Sequence, residues 1–254
     1  MDTPSYPIPL RDILSLGIDM LSGASRSFRG DALQRIAGLR PELRILGREH
    51  IPQAGPRLIT LNHYHRPGFD AWWLAFALAA AVPAEIHFGI TDELTYPGKW
   101  YGFLGRPVTH WLLLRLARVY GFTAMPPMPP RPQDVERRAA AVRRMLAFAR
   151  SHPQALLALA PEGGDRPDGA AVMPPPGAGR FIEHLARLGF PLQPAGIFEQ
   201  EGRLCLHFGP PYALALPPGL GADERDRAAA RQVMEHIAAL LPGRLRGEFS
   251  GRLA

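Results

Sequence analysis

The stretch RLITLNHYHRPGFDAWWLAFALAAA, residues 57–81, constrains this chain more than any other. Residues 58–61 are apolar or β-branched without a break, the pattern of a strand buried on both faces. The run from 71 to 82 is almost wholly apolar and has the length of a buried helix. Between them lies a polar knot, with Asn62, His63, His65, Arg66 and Asp70 inside nine residues. A strand passes almost directly into a helix, and two imidazoles and a carboxylate stand at the junction. That combination points to a site rather than to packing.

Strand and helix signals alternate along the rest of the chain. Strands are expected at 43–46, 85–90, 155–160, 192–198 and 203–208, the last two joined by a turn at Glu201-Gly202, and 121–124 reads as a short strand or a turn. Helices are expected at 108–120, 133–151, 180–188 and 223–241, with a further helix start at 91–94. Two short helices, 8–22 and 31–39, precede the first strand. The expected fold is α/β: a mixed, mostly parallel sheet flanked by helices, with an N-terminal helical pair. Residues 1–42 read as that helical segment, packed on the domain or lying on a membrane surface. Residues 43–254 read as one α/β domain, for which the length suffices. Two Pro/Gly-rich stretches stand out. MPPMPPRP, 125–132, reads as an extended linker, with an apolar groove lined by Met125 and Met128 as the second reading. PEGGDRPDGAAVMPPPGAG, 161–179, is too long to be an idle connection. The tail from 243 is expected to fray.

Charge narrows the partners. The formal net charge is +6, carried by arginine, with Lys99 the sole lysine. A basic surface attracts anionic lipid, acidic carrier proteins or nucleic acid. No zinc finger, RNA-binding motif or long basic run accompanies it, so no nucleic acid is expected. Cys205 is the only cysteine, which excludes an intrachain disulfide and a cysteine-based metal site; no metal is expected. No apolar run is long enough to span a bilayer. The N-terminus lacks the basic-then-apolar run of a signal peptide, and a cytoplasmic protein is expected.

The knot carries the chemistry. A neutral imidazole with a carboxylate partner removes a proton from a hydroxyl, while the carboxylate fixes the tautomer and stabilises the imidazolium. His65 and Asp70 are spaced H-x-x-x-x-D, and His63 is a second candidate base. Asp70 is also placed to cap the helix that follows. A second constellation, Ala160-Pro161-Glu162-Gly163-Gly164, follows another apolar strand and puts a carboxylate and flexible amides at the sheet rim. Elsewhere Trp72, Trp73 and Cys205 read as packing, and His87 and His110 as ordinary strand and helix residues.

Taken in order, these pieces resemble the glycerolipid acyltransferases of the lysophosphatidic acid acyltransferase type. GREHIPQAGPRLITLNH resembles the family's Gly-x-x-x-Ile-Pro lead-in to a strand ending Asn-His; H-x-x-x-x-D follows. PEG comes about 100 residues later, and GAGRFIEHLARLGFPLQPAGIF resembles the family's Gly-Ala helix and closing strand. The resemblance spans 44–208. It implies transfer of a fatty acyl group from acyl-CoA or acyl carrier protein to a hydroxyl, or less readily an amine, of a lipid-like acceptor. The thioester is a co-substrate, and no cofactor is implied. The family's helical front implies a peripheral position on the inner face of the cell membrane.

Two registers remain open. In one, His65 is the base with Asp70, and this alone keeps the family spacing. In the other, His63, directly at the strand end, is the base. The family's PEG is followed by Thr-Arg, whereas here Gly164-Asp165 precede Arg166; the middle motif lacks its arginine until Arg131. A phosphate-bearing acceptor is thereby disfavoured. Glu162, Gly163, Arg66, Arg166 and Arg180 are the candidate substrate-binding residues. These departures leave two alternatives: a non-catalytic lipid-binding homologue of the same fold, and a thioester hydrolase.

Overall fold

The computed structural model of the protein describes residues 6–94, 102–128, 130–164 and 168–251. Seven strands form one sheet in the order β1-β7-β6-β2-β5-β3-β4. They are β1 (Arg44–Leu46), β2 (Arg57–Leu61), β3 (Ile86–Thr91), β4 (Thr123–Met125), β5 (Leu156–Leu159), β6 (Leu192–Gln200) and β7 (Arg203–Phe208). The five strands from β6 to β4 are parallel. Strand β7 returns antiparallel to β6, and β1 lies parallel to β7. The expected mixed, mostly parallel α/β sheet is thus the one observed.

The helices are α1 (Leu10–Ser22), α2 (Phe28–Ala37), α3 (Trp72–Ala81), α4 (Gly102–Tyr120), α5 (Val135–Ser151), α6 (Ala178–Arg187) and α7 (Ala222–Ala239). The chain steps from β2 through β3 to β4 in one direction, then returns through β5 to β6. Right-handed crossovers therefore put α3 and α4 on one face, and α5 and α6 on the other. Contacts agree: α2 packs on α3 and α1 on α4, while α6 packs on α5 and α7. Central strands β2 and β5, covered on both faces, are buried throughout except at Arg57.

Helix α2 is part of the same core. Phe28 stacks on Phe76 at 5.3 Å and meets Phe88, Tyr120 and Phe122 edge-on. It starts three residues earlier than periodicity predicts, because Ser27 caps it by accepting from the Gly30 amide at 2.8 Å. Helix α1 differs: only Met20 is buried, and Leu10, Ile13, Leu14, Ile18 and Leu21 are exposed.

Several local expectations need correction. No helix starts at 91–94, since Thr91 ends β3 and Asp92 and Glu93 bend away from it. Helix α4 begins well before Val108 and runs through Pro107. Asp70 does not cap α3 with its side chain; Ala71 is the N-cap, and it is the Asp70 carbonyl that accepts the Trp73 amide at 3.0 Å. Val135, at the start of the expected 133–151 helix, is apolar yet 65% exposed. The tail does not fray before residue 251: two short 3₁₀ turns, Gly243–Leu245 and Gly247–Phe249, bury Leu245 and Phe249 completely.

Candidate active site

The β2 and β5 strands are neighbours, and their connections leave to opposite faces of the sheet. Such a reversal opens a crevice at the carboxyl ends of the strands. Asn62 and His63 follow β2 there, and Glu162 follows β5. The parallel register pairs Thr60 with Leu159, which puts His63 level with Glu162. The His63 amide reaches across the crevice and donates to Glu162 Oε2 at 2.6 Å. The other carboxylate oxygen, Oε1, accepts the Val172 amide at 2.9 Å. Glu162 therefore ties the end of β2 to the long 161–179 loop.

The opposite side of β2 is fastened to β6. Asn62 is buried and acts as one more rung of the ladder. Its Nδ2 donates to Ile197 O at 2.8 Å, and its Oδ1 accepts from Ile197 N at 2.7 Å. Tyr64 donates to Glu199 Oε2 at 3.0 Å, and Arg66 pairs with the same carboxylate through Nε and, at 2.8 Å, through Nη2. Residues 62, 64 and 66 are thus held by β6, while the alternating His63 and His65 are half-buried.

Burial alone would raise the Glu199 carboxyl. The Arg66 guanidinium, with the Tyr6 and Tyr64 hydroxyls, instead holds it below the usual carboxylate range. Burial and the neighbouring Glu199 charge push the Tyr64 phenol up to about 12. Sequence reasoning missed Glu199 and Tyr6. A carboxylate in the largely apolar strand PLQPAGIFEQ was the available signal.

The long loop closes over the knot. Gly169 has φ +64°, and a Cβ there would lie 2.7 Å from the His65 carbonyl oxygen. Gly163 has φ +71°, and its Cβ would lie 2.5 Å from Met128 Cγ, so Met128 of the Pro-rich stretch seats the PEG turn. Behind the loop, the Ala171 amide donates to Leu245 O at 2.8 Å and the Met173 amide to Glu248 Oε1 at 2.8 Å. The buried C-terminal turns thereby brace the loop against the site.

The remaining sequence candidates fall as follows. Asp70 is exposed, and its carboxylate makes no hydrogen bond or ion pair with a described residue; neither histidine is paired with it. Arg180, on the first turn of α6, is half exposed, with Nη2 3.5 Å from Asp223 Oδ1. The helix N-terminus beside it is capped by Asp226, which accepts the Gly177 and Arg180 amides at 2.6 Å each. Arg166 lies outside the described residues. Arg131 reaches Glu93 at 2.9 Å and Asp134 at 2.5 Å, and Arg137 bridges Asp134 and Asp92 at 3.0 and 2.6 Å. Burial would raise the Asp134 carboxyl, and Arg131 beside it brings it down. Among the described residues no cluster of His, Cys, Asp or Glu is arranged to hold a metal ion.

Comparison with known proteins bears on this arrangement. A model of the family described as Acyltransferase matches residues 42–198, well over half of the chain. No curated protein matches. Among solved structures, the 1-acyl-sn-glycerophosphate (LPA) acyltransferase PlsC from Thermotoga maritima is similar over 89% of this chain and 80% of that one, at 15% identity and a TM-score of 0.49. The matched segment begins just before β1 and ends one residue short of Glu199, so it contains the β2 junction, the knot and the PEG turn: the chain belongs to the acyltransferase family.

Proposed function

We propose that this acyltransferase moves a fatty acyl group from an acyl-CoA or acyl carrier protein thioester to a hydroxyl of a lipid-like acceptor, with His63 as general base. The observation that carries the reading is the position of His63: it stands in the crevice between β2 and β5, with its amide fixed by Glu162 at 2.6 Å. The imidazole takes the acceptor's hydroxyl proton as the oxygen attacks the thioester carbonyl. The tetrahedral adduct collapses with cleavage of the C–S bond, and the imidazolium returns the proton to the leaving thiolate. His65, also half-buried and two residues further along the segment, is the alternative base. Arg66, Arg131 and Arg137 are each already matched by carboxylates, which favours an acceptor without a phosphate monoester.

The acceptor and the membrane enter through the same part of the molecule. The exposed apolar residues of α1 continue onto α4, where Phe103, Leu104, Val108, Trp111 and Leu112 are also exposed. The two helices pack together, and the Arg26 amide after α1 donates to Val119 O at 2.9 Å. An apolar face of this breadth with arginines nearby suits the interface of an anionic bilayer. Among the described residues no helix is long and apolar enough to cross a membrane, so the contact proposed is peripheral, on the cytoplasmic leaflet.

The test is turnover of acyl-CoA and acyl carrier protein thioesters with lysophosphatidate, monoacylglycerol and a lyso-aminolipid as acceptors. His63→Ala is expected to lower transfer by roughly 100-fold or more, the scale of a lost general base. Wild-type-like transfer by that variant would remove His63 from the mechanism, and loss confined to His65→Ala would reassign the base.

A further inference from the structure

The Glu199 carboxylate gathers more of this sheet edge than any group the reaction itself requires. It accepts from Tyr6 Oη at 2.5 Å, from Tyr64 Oη at 3.0 Å and from Arg66 through both Nε and Nη2. Its backbone carbonyl accepts from Arg244 Nη2 at 2.7 Å. The residue is only 7% exposed. Tyr6 stands four residues ahead of α1, and its ring packs against Phe69 at 5.1 Å and Trp73 at 5.0 Å, with the Arg66 guanidinium 5.7 Å above it. Both Tyr6 and Glu199 fall outside the residues that match the family, so family membership assigns them nothing.

The geometry has a direct mechanical meaning. Between Leu61 and Trp72 the chain has no regular structure except turns, and so no ladder of its own to fix the imidazoles. On the β6 side, what holds it is Asn62 on Ile197 and then Tyr64 and Arg66 on Glu199. His63 and His65 are each bracketed by residues anchored to β6. A carboxylate that collects donors from positions 64 and 66 sets the pitch of the segment on which both histidines ride. Bonds to an ionised acceptor are the strong ones, and here they are largely shielded from water. An amide in place of the carboxylate keeps the volume but cannot accept from all four donors, and it removes the charge that Arg66 pairs with here.

We infer that Glu199 is a positioning residue for the His63–His65 segment, and that Tyr6 is the contact through which the N-terminal segment supports it. The inference rests on the acyl-transfer reading for its kinetic consequence, but not for its structural one. The experiment uses the full chain with 13C-labelled histidine. The His63 and His65 resonances are assigned by their loss in His63→Ala and His65→Ala, and followed by NMR as a function of pH. In folded Glu199→Gln, both sets of resonances are expected to move and their titration midpoints to shift. Resonances of the remote His87 and His184 are expected to stay in place. Glu199→Asp should restore part of the wild-type spectrum.

Tyr6→Phe removes one donor and leaves the Arg66 pair intact. It is expected to move the same resonances in the same direction by less, and it serves where Glu199→Gln does not fold. In turnover, Glu199→Gln is expected to lower kcat about tenfold or more with little change in the thioester KM, since misplacing a reacting group by a fraction of an ångström has that scale of effect. Unmoved His63 and His65 resonances in folded Glu199→Gln, or in Tyr6→Phe if that is the variant available, would overturn the inference. A wild-type protein without transfer activity would instead remove the acyl-transfer reading, and the spectra would still decide the role of Glu199.

Discussion

Asn62 and His87 are both polar residues beside apolar strands, and the structure gives them opposite work. Asn62 extends the β2–β6 ladder by one rung with its own amide. Asn62→Ala strands a buried N–H and a buried C=O of Ile197, each costing about 1–3 kcal/mol. The variant is expected to lose about 2–6 kcal/mol in urea unfolding, with the m-value unchanged; a loss under about 1 kcal/mol would mean water takes over both bonds. His87 is stacked on Phe148 at 3.6 Å, with Nε2 2.8 Å from Thr123 Oγ1 and His152 on the far side of Phe148. Burial pushes its pKa down to about 4, with the His152 charge adding to the effect. The unfolded chain would protonate it near pH 6.5. The unfolded state therefore binds the proton first, and stability falls as pH drops from about 6.5 to 4. His87→Gln keeps a hydrogen-bonding group and removes the titration. Its stability should vary less than wild type across that window, and parallel pH profiles would show that His87 does not contribute. Asp70 supplies the contrast within the knot: exposed and unpaired with either histidine, Asp70→Asn is expected to change transfer by less than about threefold, the scale of a surface substitution. A loss matching that of His63→Ala would put the carboxylate back beside the base.

Among the elements, legibility followed periodicity and burial. Strands β2 and β5 were readable because parallel strands covered on both faces are continuous apolar runs, and α3 because twelve apolar positions need a buried helix. Helix α4 was read as starting at Val108, where its amphipathic pattern begins, just past Pro107, which lacks an amide donor. The helix accommodates that proline in its interior, where the Thr109 hydroxyl turns back to donate to Gly105 O at 2.9 Å. The histidines and PEG were legible as a pair because each ends an apolar strand. Glu199 was not, since nothing local in PLQPAGIFEQ tells that its carboxylate meets Tyr6 and Arg66 from 193 and 133 residues away. The exposed side of α1 is the element whose apolar pattern finds no partner among the described residues. Leu14→Glu with Ile18→Glu is expected to abolish co-sedimentation with anionic vesicles, while leaving the unfolding midpoint within about 0.5 kcal/mol, as for surface substitutions. Vesicle binding that survives both changes would move the membrane contact off α1.

At the scale of the whole molecule, both ends of the described chain converge on the carboxyl edge of the sheet. Tyr6 reaches Glu199 from the front, and Arg244 and Glu248 reach Glu199 and Met173 from the back. The C-terminal turns are therefore part of the site's frame, and Phe249 is what fixes them. Its ring is fully buried, and the sharp turn before it depends on Gly247, where φ is +52° and a Cβ would lie 2.0 Å from Ala171 O. Removing a buried phenylalanine ring costs about 3–5 kcal/mol. In a chain of this size that lowers the melting temperature by roughly 6–20 °C, at about 2–4 °C per kcal/mol. The particular consequence lies away from the substitution. Phe249→Ala loosens the turns that accept the Ala171 and Met173 amides, so the 161–179 loop loses its brace over His65. Limited proteolysis well below the melting temperature should then cut this loop faster than in wild type, before the sheet core is attacked. Accelerated cleavage spread evenly over the chain would instead mean that Phe249 stabilises the fold as a whole and has no special hold on the loop.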